Sequence, residues 1–294
     1  MPADDMPAAE VDVTDDLVRA LLEEQCPDLA GLPLVLLANG WDNAIFRLGD
    51  ELTVRLPRRA LSAALVEHEQ RWLPSLAERL PLPIPAPVRC GRPGLGYPWS
   101  WSVCPWLSGA IAELHPPHDK FAAAADLGGF LRALHVVAPD DAPANPFRGV
   151  PLIERDAVTR ERADAVAGLV DRDAVLERWT ELVATPAFAG APVWLHGDLH
   201  PANVLVDDGR ISAIIDFGDI TAGDPATDLS VAWMVLPVEA RAAFRSAVGG
   251  VDDDTWARAR AWALALGLAY VAGSADNPMF SRLGVRVIAE ALAG

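Results

Sequence analysis

Apolar positions recur along the chain in two rhythms, and the change from one to the other falls near residue 107. Within Asp15 to Gln25, Leu17, Val18, Leu21 and Leu22 share one helix face, with Thr14 or Asp15 placed to cap the helix and Cys26-Pro27 to end it. Leu34 to Leu37, Ala44 to Leu48 and Leu52 to Leu56 are short apolar or alternating runs, separated by Asn39-Gly40-Trp41-Asp42-Asn43 and by Gly49-Asp50. Such runs predict a three-strand antiparallel meander. Helical period returns in Ser62 to Leu80 through Leu65, Leu73 and Leu76, and Pro74 suits a kinked end. Proline-punctuated Leu80 to Val88 and aromatic Tyr97 to Trp106 then predict two edge-type strands.

From Lys120 onward the period is mainly helical, over Phe121 to Val137, Asp156 to Ala184, Asp228 to Val248 and Asp254 to the C-terminus. Trp194-Leu195, Val204 to Val206 and Ile211 to Ile215 interrupt it as short strands. The pattern is α+β: a small antiparallel sheet lobe over residues 1–107, a larger helical lobe over 108–294, and polar loops where an interlobe cleft is expected.

Composition narrows the function. The formal charge of −17 repels phosphate backbones and anionic surfaces, which argues against nucleic acid and membrane partners and leaves neutral or cationic ligands. No run reaches the roughly 18 uninterrupted apolar residues of a membrane span. Cys26, Cys90 and Cys104 lack metal-ligand spacing, and no basic-then-apolar leader opens the chain, so a cytoplasmic protein is expected. Lys120 is the only lysine, so any chemistry that needs a cation elsewhere must use arginine.

Two segments carry candidate chemistry. His196-Gly197-Asp198-Leu199-His200-Pro201-Ala202-Asn203 lies between two short apolar runs and contains Gly and Pro, which makes it a loop held by strands. Asp216 stands thirteen positions past Asn203, in Ile214-Ile215-Asp216-Phe217-Gly218, where a strand delivers one carboxylate to a tight turn. Phosphoryl transfer needs a carboxylate to orient and deprotonate the attacking hydroxyl, and oxygen ligands to fix magnesium on nucleotide phosphates. Asp198, Asn203 and Asp216 have those types in that order.

In these residues the sequence resembles the aminoglycoside phosphotransferase family, including its macrolide and choline kinase relatives, whose H-G-D-x-x-x-x-N and I-D-F/W patterns are present. The resemblance covers most of the chain. It implies a protein-kinase-like bilobal fold with the active site between the lobes. It also implies Asp198 as catalytic base, Asn203 and Asp216 as Mg2+ ligands, and Gly223-Asp224-Pro225 with Asp228-Leu229 as the family's G-D-P-x-x-D-L element. The implied reaction moves the γ-phosphate of ATP or GTP to a hydroxyl of a small molecule, an aminoglycoside or macrolide antibiotic among the acceptors.

The remaining residues have plainer readings beside the functional one. Asp228, at a helix start, can cap that helix or accept backbone N–H groups of the catalytic loop. His196 and His200 are expected to bond the backbone and steady Asp198 rather than carry protons. Arg55, in Thr53-Val54-Arg55-Leu56-Pro57, stands where a strand cation would contact donor phosphates, and the macrolide-type relatives that the sequence resembles also show Arg there, in a V-x-R-x-P context. Its partner is expected at Glu69, with Glu67 as the alternative and a solvated carboxylate as the plain reading. Gly40, Trp41 and Asn43 sit in a turn whose N–H groups would cover phosphates, or which is only a hairpin. Near 104–107, a hinge would use the Pro105 carbonyl and the Leu107 N–H for a nucleotide base. Substrate contacts are expected from the Asp156 to Ala184 and C-terminal helices, with Asp219, Asp224 and Asp276 as conceivable pocket carboxylates.

Two other classes compete. A metal hydrolase would read His196, Asp198 and His200 as ligands, although Gly197 and Pro201 oppose the helix that zinc proteases use. A nucleotide-binding homologue without catalysis would be expected to have lost Asp198 or Asp216.

Overall fold

The computed structural model describes residues 8–39, 43–274 and 276–294, and divides the chain into two compact units. One takes the chain up to Arg79, Pro83–Ser108 and Ile214–Gly218; the other takes Leu80–Leu82, Gly109–Ala213 and Asp219–Gly294. Ile214–Gly218 therefore belongs with the sheet, although it lies more than a hundred residues further along the chain.

The first unit opens on α1 (Asp15–Gln25), capped by the Thr14 hydroxyl and burying Val18, Leu21 and Leu22 as its period requires. The meander follows as β1 (Leu34–Asn39), β2 (Asn43–Leu48) and β3 (Leu52–Pro57). Helix α2 (Ala60–Ala77) carries Pro74 inside it, and β4 (Arg89–Gly91) and β5 (Trp101–Pro105) complete an antiparallel sheet in the order β1-β2-β3-β5-β4. This corrects two expectations. Leu80 to Val88 forms no strand, and β5 is internal, between β3 and β4. The β5 register explains the difference: Val103 pairs with Val54 on one side and Arg89 on the other, so its aromatic neighbour Trp101 is buried as a central residue. Val18, Leu22, Phe46, Val54, Tyr97 and Trp101 form the core beneath α1.

The second unit is helical around α9. Its elements in order are β6 (Ala110–Ile111), α3 (Lys120–Leu134), α4 (Asp156–Ala165), α5 (Arg172–Val183), β7 (Val193–Leu195), β8 (Val204–Asp207), β9 (Arg210–Ile214) and β10 (Thr221–Gly223). They continue through the single turns α6 (Ala226–Leu229) and α7 (Ala232–Val235) to α8 (Val238–Val248), α9 (Asp253–Gly273) and α10 (Pro278–Ala293). The helical period over Asp156 to Ala184 forms two helices, because Gly168 and the Asp171 cap of α5 restart the chain. Asp228 to Val248 is likewise broken, by Pro237 ahead of α8. Helix α9 is buried on most sides, from Trp256 to Val271, and packs against α4, α5, α6 and α10. Two short antiparallel ladders, β7–β10 and β6-β8-β9, frame the segment from His196 to Asn203.

Candidate active site

The loop after β7 is held from its backbone. Asp228, 1% exposed on α6, accepts the His196 N–H through Oδ2 at 2.7 Å and the Gly197 N–H through Oδ1 at 2.9 Å. His135 Nε2 lies 3.2 Å from Oδ2 as a third partner. A full carboxylate sharing two adjacent amides fixes the chain direction ahead of Asp198 more firmly than a neutral acceptor would. Gly197 has φ +86°, and a Cβ there would lie 2.3 Å from the Asp219 carbonyl oxygen. Only glycine gives both the left-handed backbone and the room.

Past that turn, each histidine folds back on the loop. Asp198 N–H donates to His196 Nδ1 and Ala202 N–H to His200 Nδ1, both at 3.2 Å. Both rings thus accept at Nδ1 and carry their proton at Nε2 when neutral. His200 Nε2 can then donate to Asp198 Oδ2, 3.3 Å away, while the Tyr270 and Phe280 rings pack edge-on to it. Asn203 Nδ2 donates to the Asp198 carbonyl at 2.9 Å, which commits its amide nitrogen to the loop. The carbonyl Oδ1 is the oxygen type that magnesium takes.

Arg148, which the sequence pattern did not single out, completes the surroundings of Asp198. Its Nη2 lies 3.1 Å from Asp198 Oδ1 and 4.0 Å from Asp219 Oδ2, and Asn145 Nδ2 donates to Asp219 Oδ1 at 2.6 Å. Arg148 is placed by its neighbour: Gly149 N–H donates to Thr227 Oγ1, and Asp224 N–H to the Gly149 carbonyl. A Cβ on Gly223 would lie 2.4 Å from that carbonyl. The one local sign in the sequence is Asn145-Pro146-Phe147-Arg148-Gly149, a polar loop with a glycine, which is common to many turns. Burial would raise the Asp198 carboxyl, but His200, Arg148 and His196 together hold it well below the ordinary carboxylate range. Asp198 is therefore an ionised, hydrogen-bonded carboxylate whose side chain is still about one-quarter exposed.

In the first unit, Arg55 of β3 faces α2. Buried positions on α2 fall at Ser62, Val66, Glu69, Leu73 and Leu76, a helical stripe that includes Glu69 and leaves out Glu67. Arg55 Nη1 lies 3.2 Å from Glu69 Oε1, and Glu67 instead accepts from the Ser100 hydroxyl at 3.2 Å. Burial pushes the Glu69 carboxyl up, with Arg55 opposing and Asp216 adding to the rise. Arg55 stays cationic because Glu69 and Asp216 outweigh its own burial. Asp216 is exposed, with φ +64°, a left-handed conformation that carries strain for a residue other than glycine.

Asn43 opens β2 with its Oδ1 buried and without a partner among the described residues. Gly40 and Trp41 lie outside the described residues. Pro105 ends β5 opposite Leu52, and Leu107 follows, half-buried.

Of the three conceivable pocket carboxylates, Asp224 is corrected. It is buried against Arg258, with Oδ2 2.6 Å from Nε, and cannot face a ligand. Asp219 borders Asp198 through Arg148, while Asp276 keeps a buried, unpartnered Oδ2 among the described residues. The hydrolase reading fails on the imidazoles, because both Nδ1 atoms accept backbone N–H groups and His200 Nε2 faces Asp198. Among the described residues no three His, Cys, Asp or Glu side chains converge as a metal site, and none of the helices formed by them is long and apolar enough to cross a membrane.

A model of the phosphotransferase enzyme family matches residues 33–262. The aminoglycoside 3'-phosphotransferase of Streptomyces fradiae is 31% identical over 170 residues, covering 54% of this chain and 60% of that protein. The chain thus spans less than two thirds of the length of that relative. The GDP and kanamycin complex of an aminoglycoside 2''-phosphotransferase superimposes with a TM-score of 0.69 at 20% identity, over 94% of this chain and 98% of the other. A macrolide 2'-phosphotransferase apoenzyme from Brachybacterium faecium does so with a TM-score of 0.62 at 23% identity, over 93% and 97%. At these identities the likeness is one of fold.

Proposed function

The chain belongs to the phosphotransferase enzyme family, and from that membership we propose that it transfers the γ-phosphate of ATP or GTP to a hydroxyl of a small molecule. The observation that carries the reading is the state of Asp198: an ionised carboxylate, partly open, on a loop whose backbone is fixed by Asp228. A group so placed can orient an alcohol and accept its proton as the oxygen attacks phosphorus. His200 keeps Asp198 Oδ2 in position and its proton on Nε2, so it steadies the base without competing for the alcohol proton.

Arg55, held by Glu69, supplies a fixed guanidinium for the donor phosphates, to which it can bond in bidentate fashion. Pro105 and Leu107 offer a carbonyl and an N–H to the nucleotide base, and Gly40, Trp41 and Asn43 the cover for its phosphates. Asn203 Oδ1 and the Asp216 carboxylate fit magnesium, a hard cation that takes oxygen ligands and leaves most of its shell to phosphates and water. When bound, that ion neutralises charge on the transferring phosphoryl group. A cytoplasmic location agrees with the free thiols Cys26, Cys90 and Cys104.

The test is to incubate the protein with ATP or GTP, magnesium and a panel of alcohols that includes kanamycin and a macrolide, and to look for the added mass of one phosphate. Transfer that disappears in Asp198→Asn is the expected result. Absence of transfer across the panel, with no nucleotide binding by calorimetry, would overturn the proposal.

A further inference from the structure

Building on the phosphotransfer reading, we infer that the alcohol accepted at Asp198 carries an oxyanion, a carboxylate or a phosphate, held by Arg148, Arg155 and Arg162. The starting point is a mismatch of charge. Acidic residues outnumber basic ones 41 to 24 along the chain, and arginines near this segment find carboxylates readily. Arg160 pairs with Asp156 at 2.9 Å, Arg172 with Asp164 at 2.6 Å and Arg178 with Glu181 at 2.6 Å. Arg155 and Arg162, both half-buried, have no hydrogen-bond acceptor and no ion pair among the described residues. Their neighbours Glu154 and Glu161 are exposed, and they act on the two arginines less than burial and the neighbouring arginines do.

Placement along the chain and their mutual repulsion show the three guanidinium groups near one another. Arg155 closes a short 3-10 turn that runs straight into α4, and Arg162 follows seven residues later, about two helical turns on and on the same face. Between them on that face stands Thr159, 1% exposed, its Oγ1 without a partner among the described residues. The Arg155 guanidinium lies over the Phe147 ring, 5.7 Å from its centroid, beside Arg148 in sequence. Burial first, and then the neighbouring arginines, lower Arg155 and Arg162 from the usual guanidinium range, with Glu154 and Glu161 opposing.

Asp198 and Asp219 face Arg148, while the carboxylates acting on Arg155 and Arg162 are Glu154 and Glu161, neither of which forms an ion pair with them. Asp219 also takes the Asn145 amide. Arg148 Nε is buried and unpartnered among the described residues. Arg155 and Arg162 thus stand half-buried near Arg148 with no ion pair among the described residues, and no carboxylate bonds their guanidinium groups directly. An oxyanion on the acceptor supplies such a partner and can bond arginine in bidentate fashion. A polycationic acceptor would instead place ammonium groups against unpaired guanidinium groups, an unfavourable contact in a half-buried site.

The test titrates malonate and inorganic phosphate separately into the full chain by calorimetry, in wild type, Arg155→Gln/Arg162→Gln, Arg162→Gln and Arg162→Lys. Saturable binding of one anion is expected, at least tenfold weaker in the double variant and within about threefold of wild type in Arg162→Lys, which keeps the charge; which anion binds distinguishes carboxylate from phosphate. Circular dichroism reports whether the double variant folds, and if it does not, the ratio of Arg162→Gln to Arg162→Lys decides. Binding of neither anion by wild type, or equal binding by Arg162→Gln and wild type, overturns the inference. A second arm compares transfer to glycerate, to its neutral amide and to kanamycin. Preference for glycerate supports the inference, and preference for kanamycin overturns it while phosphotransfer stands. No transfer to any alcohol despite saturable, arginine-dependent anion binding removes the phosphotransfer reading and leaves the oxyanion site.

Discussion

Each unit of the molecule holds one arginine–carboxylate pair of interest, and the two are built differently. Arg55 and Glu69 are closed in, with side chains 11% and 2% exposed, and each is the other's principal charge partner. Arg148 and Asp198 are more open, at 19% and 25%, and Asp198 also answers His200 while Arg148 also faces Asp219. A buried pair gains little net energy from its attraction but loses much if one member is removed, so its value is a fixed position. An open pair with several partners can exchange one for a ligand. The first suits a permanent cation for donor phosphates. The second suits a base that must release a contact and take up an alcohol.

The sharpest break of that comparison is Asp198→Asn, which removes the proposed base and leaves the other pair intact. Turnover should fall by about 10²- to 10⁴-fold, with nucleotide affinity retained in calorimetry; unchanged turnover would end the assignment. Next comes Glu69→Gln, which leaves the Arg55 charge buried without its carboxylate. A loss of about 3–5 kcal/mol of stability is expected, seen as a lower denaturant midpoint at constant slope, together with weaker nucleotide binding.

Asp228→Asn tests whether the open pair depends on a rigid loop. Two buried amides lose a charged acceptor, worth about 1.5–3 kcal/mol, and kcat should fall while the nucleotide Kd holds; an unchanged kcat would show that Asp198 needs no such support. The smallest effect on the base itself, read from the pH profile and apart from any loss of acceptor binding, is expected from Arg148→Gln. Arg148 is one of the groups that hold the Asp198 carboxyl low, so its loss raises that pKa. The base is active above its pKa, and the acid limb of kcat/KM should therefore move to higher pH. The same sign governs stability. The contribution of the lowered carboxyl is complete above the unfolded value near 4 and is lost as pH falls through the folded one. An acid limb that stays in place would make Arg148 electrostatically irrelevant to Asp198.

Much of this was readable from spacing. The helix from Asp15 to Gln25, the meander and the strands on either side of His196 to Asn203 follow from periodicity and from Gly and Pro placement, because those are local preferences. The position of Glu69 was less legible. Glu67 and Glu69 are both near the middle of α2, and the stripe through Val66 and Leu73 decides which faces Arg55. The internal place of β5 was not legible, since proline and aromatic residues read as an edge while pairing on both sides is a long-range fact.

The sequence by itself determined the order of chemical types, Asp198, Asn203 and Asp216, and the need for glycine at 197, because spacing and backbone freedom are properties of the chain. Tertiary structure alone decided which charges meet. It buried Asp224 against Arg258, set Asp228 under two loop amides, and brought Arg148 to Asp198 across fifty residues of chain. It also left Arg155 and Arg162 without an ion pair among the described residues, in a chain whose overall charge points the other way. Net charge sums over the whole surface, whereas a ligand meets only the few groups that folding places within reach.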